Sequence, residues 1–347
     1  MKVRVNYPGA SLDSWRQMHN TLCIKTNIEK GSSMRSPRFN FHVEGFFGKT
    51  FKLTIDKVDE IIYPKFPSRV TFFISQDCQS WAPVVLTKRE EINPSAYEFE
   101  FSTEFSDFFL SSYPTFEKQR LDVIMGEVNR KFPNISEVEQ VSGKFYLKIF
   151  SKGEPRIKNI IICGQHPGEV ITYFFILGFL EQLYDFLLYG GNLINIELHI
   201  FPYIDFDSYL LGGHRLSEGI DLNRTWHRPY SDLQKKICGL ISQNSNIFDV
   251  HGDEISNTSY VQEDLVMKHF SPKFLKDLLH LKQRPKLIRT LKKFLLGIKT
   301  QNEGMTLSEK ALSLKANACL IELSMTSVLP IDAEFIGRNF FKDLISS

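Results

Sequence analysis

Cysteine is scarce in this chain. Five residues, at 23, 78, 163, 238 and 319, are spread over 347 positions without a CxxC spacing. That excludes a disulfide-built scaffold and a thiolate zinc cluster, and it suits a reducing compartment. An excess of charge of one sign is also missing, with 42 Lys and Arg against 40 Asp and Glu. Nothing in that balance calls for nucleic acid, although a local basic pocket is compatible with it. The opening MKVRVNYPGASLDSW holds no apolar run of the signal-peptide kind. The greasiest stretch, Val170 to Gly190, carries Glu181, Gln182 and Asp185, so it reads as a largely buried helix and not as a membrane span. The expectation is a soluble cytoplasmic protein with no membrane partner. Export by a route that leaves the chain intact would leave the same sequence.

What is present is ordinary globular composition. Hydrophobic residues at 42% and charged residues at 24% exclude disorder over most of the chain. The first 110 or so residues read as β-rich: FNFHV, TFKLTI, RVTFFIS and YEFEF alternate or nearly alternate between turn residues, as in two stacked antiparallel sheets. From about Phe116 to Val128 the spacing becomes helical. A boundary near 115 to 125 follows, giving an N-terminal β-sandwich over 1–118 and a second domain over 119–347.

That second region alternates strand and helix. Lys144 to Phe150, Asn159 to Cys163, Leu193 to Phe201, IFDVHG and ACLIELSM read as strands. Val170 to Leu188 and Leu307 to Lys315 read as helices, the latter capped near Thr306 or Ser308. Basic segments between 271 and 299 also look helical, with Pro285 marking a break or a start. The pattern implies an α/β sheet covered on both faces.

Candidate chemistry gathers at the ends of these strands. His166 and Glu169 follow NIIIC at the entry of a helix, and Pro167 and Gly168 between them make a tight turn. One imidazole and one carboxylate suit zinc, although a capping Glu beside an incidental His has the same spacing. His251 ends the strand IFDV and would meet that pair from a neighbouring parallel strand, giving a His2Glu set with a fourth position open. Taken alone, it is equally a strand-end histidine bonded to backbone. Asp249 reads either as a partner of that site or as a strand-edge charge. Glu322 lies inside the apolar CLIELSM, where an acid is costly unless paired or placed at a site. Near zinc it would move protons between water and a leaving amine; otherwise it is a structural ion pair. The glycine-bearing segment Gly212 to Trp226 carries Arg215, Asn223 and Arg224, suited to an oxyanion or a carboxylate, or to plain surface charge.

Together these segments resemble the M14 family of zinc carboxypeptidases, in the cytosolic carboxypeptidase branch with its bacterial relatives. The likeness rests on QHPGE at 165 to 169, GIDLNRTW at 219 to 226, DVHGDE at 249 to 254 and LIEL at 320 to 323, in that order. DCQSW-APVVLT at 77 to 87 and SSYPTFEKQRL at 111 to 121 extend it over nearly the whole chain. The resemblance implies an α/β carboxypeptidase domain with a mixed central sheet behind an antiparallel β-sandwich. It implies one zinc ion on His166, Glu169 and His251, and Glu322 as general base and acid. Arg215 would polarise the scissile carbonyl, and Asn223 with Arg224 would hold the substrate's terminal carboxylate. The partner would be a peptide or protein C-terminus, with glutamate trimming as one known use. The chain departs from the pattern at Ile204 to Asp207, where relatives have Asn-Pro-Asp-Gly, and at Gly213 and His214 in the usual G-N-x-R segment. It also has no tyrosine between Tyr260 and Glu322. These departures bear on peptide preference more than on metal chemistry. A deacylase acting on a small acylated amino acid and a non-catalytic peptide-binding module are the alternatives. The run Lys282, Arg284, Lys286, Arg289, Lys292 and Lys293 would suit an acidic substrate, and equally a solvated helix face.

Overall fold

The structure is a computed structural model that describes residues 1–7, 9–19, 21–62, 70–254, 259–261 and 304–346. The basic segments expected between 271 and 299 lie outside the described residues. Ten described strands, from Lys2–Arg4 to Phe108–Ser111, form two five-stranded sheets. Phe51, Leu53 and Ile55 of strand Thr50–Asp56 point into a core shared with Phe108 and Leu110 of the other sheet, and the rings of Phe51 and Phe108 are 5.3 Å apart. Period-2 burial of β-branched and aromatic residues is what stacks these faces. Among the described strands the pairings within these sheets are antiparallel except that Thr21–Lys25 runs parallel to Thr50–Asp56. The intervening strand Asn40–Glu44 belongs to the opposite sheet, so the chain crosses the sandwich and returns in the same direction.

The remaining chain builds a seven-stranded mixed sheet. Its centre is parallel: Ile194–Phe201, Lys152–Cys163, Ser245–Asp253 and Asn317–Ser324 lie side by side in that order. Antiparallel strands Ser136–Val141, Lys144–Ile149 and Tyr260–Val261 complete its edges. Ile160 and Ile162 pack on one face with Leu233 and Ile237 of helix Asp232–Leu240 and Leu307 of helix Leu307–Ser313. Ile161 and Cys163 pack on the other, in the core that includes helices Ile171–Leu188 and Pro330–Ser346. Burial on both sides explains the unbroken apolar run in the strand.

Helix Ile171–Leu188 is long and apolar enough to cross a membrane, but 67% of it is covered by protein. Its closest packing is against Pro330–Ser346, through glycines. A Cβ on Gly178 would stand 2.0 Å from Glu334 O, and one on Gly337 would stand 1.9 Å from Phe175 O. The two helices therefore touch backbone to backbone, and no larger residue fits at either position. The strand expected at 159–163 extends back to Lys152, through a charged stretch that carries no apolar signal.

Candidate metal centre

Three parallel strands bring their C-terminal ends to one edge of the sheet. Ser245–Asp253 lies between Lys152–Cys163 and Asn317–Ser324, and such an edge is where open α/β sheets hold ligands. Beyond Cys163 the chain turns through His166-Pro167-Gly168-Glu169 into the long helix. Gly168 is required there, since a Cβ would fall 2.6 Å from the Cα of His214, whose carbonyl accepts the Gly168 N–H at 2.7 Å. Tyr173, one turn into the helix, donates its hydroxyl to Pro167 O at 3.1 Å and ties the turn down.

The turn aims His166 and Glu169 at His251. One ligand atom from each lies within 4.8 Å of the others, and all three residues are buried. Nδ1 of His166 is 2.6 Å from Glu169 Oε1, and Nδ1 of His251 is 2.9 Å from Glu169 Oε2. The Gly252 N–H donates to the same Oε2 at 2.9 Å and fixes the carboxylate. Each imidazole is backed by a further acid: His166 Nε2 is 3.1 Å from Asp221 Oδ1, and His251 Nε2 is 3.0 Å from Asp249 Oδ1. Two inward Nδ1 atoms, an inward carboxylate and outer carboxylates on both Nε2 atoms form the donor set and support that a zinc ion uses. On the chemistry of these donors the residues fit zinc.

The outer partners form a buried chain. Trp226 Nε1 donates to Gln165 Oε1 at 2.8 Å, and Gln165 Nε2 donates to Asp249 Oδ1 at 2.5 Å. Asp221 does double duty, since its Oδ2 pairs with Arg215 Nη2 at 2.8 Å. Arg215 is thereby held next to His166 with its side chain 22% exposed. Glu322 is in register with His251 on the adjacent parallel strand, so both side chains leave the same face of the sheet. Asn223 is buried: its amide nitrogen is 3.2 Å from His251 Nε2, and its oxygen accepts the Leu307 N–H at 3.0 Å. Arg224 is exposed beside it and donates from Nη1 to Asn223 O at 2.8 Å. Gln165 and Asp221 sit inside the QHPGE and GIDLNRTW segments, yet nothing in their spacing marks them as partners of the ligands.

Electrostatics agree with a cation site. Burial opposes charging His166 and His251, but the facing carboxylates outweigh it and raise both imidazoles above their usual range. Glu169 is buried too, yet the two histidines hold it well below the usual carboxylate range. Burial pushes Glu322 well above that range, and Glu169, Asp253 and Glu254 push it further against the pull of His251.

A pH dependence follows. The raised histidines stabilise the metal-free fold fully below their unfolded value of about 6.5, and that contribution is lost as pH rises through their folded values. Zinc needs both imidazoles neutral, so it competes with these protons and binds better as pH rises. The zinc-induced increase in Tm should therefore grow between pH 5.5 and pH 8, as about two protons are displaced per ion. Calorimetry with and without zinc at several pH values checks this; a Tm increment that shrinks over that span contradicts the assignment of the ligands.

No family profile matches the chain. A curated relative, an uncharacterised protein of Zymomonas mobilis, is 22% identical over 262 residues, covering 73% of this chain and 68% of that protein. Among solved structures, a metallo-carboxypeptidase of Burkholderia cenocepacia superposes with a TM-score of 0.75 at 17% identity, over 99% of this chain and 98% of that one. A metallo-carboxypeptidase of Pseudomonas aeruginosa, solved in complex with (2-guanidinoethylmercapto)succinic acid, superposes with a TM-score of 0.75 at 16% identity, over 100% and 98%. The architecture of this chain is thus a carboxypeptidase-like α/β fold over almost its whole length, and a His-Glu-His cluster lies at the sheet edge.

Proposed function

We propose that this chain is a zinc metallocarboxypeptidase that hydrolyses the last peptide bond of peptides or proteins. The observation that carries the reading is Glu322 standing in register beside His251, at the edge where His166, Glu169 and His251 converge. Zinc on those ligands would supply Lewis acidity and a water of lowered pKa. Glu322, whose proton affinity is raised by burial, takes the proton of the attacking water and passes it to the departing amine. Arg215, oriented by Asp221, stabilises the oxyanion. Arg224, with Asn223 beside it, anchors the free carboxylate and limits cleavage to chain ends.

We place the chain with the cytosolic carboxypeptidase branch on its HPGE and DVHGDE segments, and we propose acidic C-termini, glutamate among them, as substrates. Support for the latter is the basic run at 282 to 293, which is a feature of the sequence alone. We propose a cytoplasmic location, in keeping with five free cysteines.

The test is zinc-loaded protein against matched peptides with free and amidated C-termini. Free termini should be cleaved at least about 10-fold faster, since a charge-assisted contact contributes roughly 1.5–3 kcal/mol. Arg224→Ala should lower kcat/KM on free termini by about 10- to 100-fold and leave amidated peptides unaffected. Equal cleavage of both peptides in the parent protein overturns the carboxylate anchor. Comparing poly-glutamate with neutral peptides decides the acidic preference.

A further inference from the structure

The segment that carries Arg215 is held by the N-terminal sandwich. Glu29, on the loop between strands Thr21–Lys25 and Asn40–Glu44, is only 2% exposed. Its Oε1 accepts the His214 N–H at 2.9 Å, its Oε2 accepts the Leu216 N–H at 3.1 Å, and the Arg215 N–H lies 3.3 Å from both oxygens. Three successive peptide N–H groups thus converge on one buried carboxylate, an anion nest filled by a side chain of the other domain. Arg38, on the same loop and also 2% exposed, grips the carbonyl side. Its Nη1 donates to Tyr209 O at 2.5 Å and to Gly213 O at 3.4 Å, and its guanidinium lies 3.9 Å over the Tyr209 ring. The loops also meet backbone to backbone, since a Cβ on Gly31 would fall 2.6 Å from the Cα of Gly219.

The opposite side of the segment is fixed by the metal centre. His214 O accepts from Gly168 in the ligand turn, and the His214 imidazole is hydrogen-bonded to Glu254, just beyond the His251 strand. Residues 209 to 219 are therefore clamped between the sandwich on one side and, on the other, the His166–Glu169 turn and the residue just beyond the His251 strand. Apolar contact would join two domains with less desolvation cost than a buried carboxylate and a buried guanidinium. Peptide N–H and carbonyl groups held at hydrogen-bond distance instead fix where one backbone segment lies.

We infer that Glu29 and Arg38 are positioning residues for Arg215, which makes the sandwich domain part of the catalytic apparatus. This rests on the proposed role of Arg215 at the oxyanion. The carboxylate anchors the Arg215 amide, Asp221 anchors its guanidinium, and between them the arginine is set before substrate arrives.

The experiment uses the full zinc-loaded chain and two readouts. The first is amide hydrogen exchange. Glu29→Gln should speed exchange in 209 to 219 by about 10-fold or more, from loss of about one net hydrogen bond, and leave the seven-stranded sheet and the zinc content unchanged. The second is a double-mutant cycle on turnover. Glu29→Gln should lower kcat by about 100-fold, as a displacement near 1 Å can cost that much, with KM little changed. In an Arg215→Met background the same substitution should cost less than about 2-fold, because its target is already gone. Unaltered exchange in 209 to 219, or losses that multiply in the double variant, overturns the inference. If the parent protein cleaves no peptide, it is the functional reading that fails, and exchange alone decides whether the clamp exists. Should Glu29→Gln not fold, Arg38→Lys, which keeps the charge but not the fork, takes its place in both readouts.

Discussion

Glu322→Gln should abolish peptide hydrolysis, by about 100- to 10,000-fold in kcat, while zinc stays bound. The glutamine fills the same space in strand Asn317–Ser324 beside His251 but takes no proton from water. Its effect on stability has a definite sign. Burial raises the Glu322 carboxyl above its unfolded value of 4.5, so the folded state pays for ionisation only once pH climbs above that value. In the metal-free form the variant should match the parent protein in acid and exceed it in Tm near pH 8. Zinc analysis, turnover and calorimetry on one preparation check the three parts. A variant that retains turnover within about 10-fold removes Glu322 from the proton-transfer role.

His251→Ala should be as damaging to activity by a different route. It removes a ligand and leaves Glu169 with a single imidazole neighbour. Zinc should be lost on dialysis and turnover should not return at millimolar zinc. Asp249→Asn is the informative contrast, because that carboxylate touches His251 Nε2 and lies behind the ligands. It should weaken zinc by about 10- to 100-fold, a loss that added metal overcomes. If both variants respond alike to zinc titration, His251 is not a direct ligand. Removing the metal by chelation from the parent protein should reproduce the His251→Ala phenotype reversibly.

The convergence of His166, Glu169 and His251 is legible because each stands at or just past the end of an apolar run in a strand, and parallel strands deliver their ends to one edge. The Thr306 cap was equally legible, for it accepts the Glu309 N–H in a capping box three residues wide. What escaped the sequence is what depends on long chain separation or on backbone atoms. Asp221 reaches His166 across 55 residues, and Glu29 reaches His214 across 185. Peptide N–H groups look the same at every position, so an anion nest leaves no mark in the sequence. The parallel pairing of Thr21–Lys25 with Thr50–Asp56 was hidden for a related reason: alternation specifies a buried face but not which neighbour a strand takes. Helix Pro330–Ser346 does carry a sequence signal, a proline at its start followed by Ala333, Ile336, Phe340 and Leu344 at helical spacing on its buried side.

That last helix has a consequence for how the protein is made. The glycine-to-backbone crossing of Gly178 and Gly337 seats it against the helix that begins just after Glu169. During synthesis the sandwich strands come first, and residues 330 to 346 are added after His166, Glu169 and His251. At about 5–20 residues per second, the stretch between Phe179 and Phe340 takes on the order of 10 to 30 s to synthesise, an interval in which the rings of Phe175 and Phe179 lack the Phe340 ring that packs on them in the folded chain.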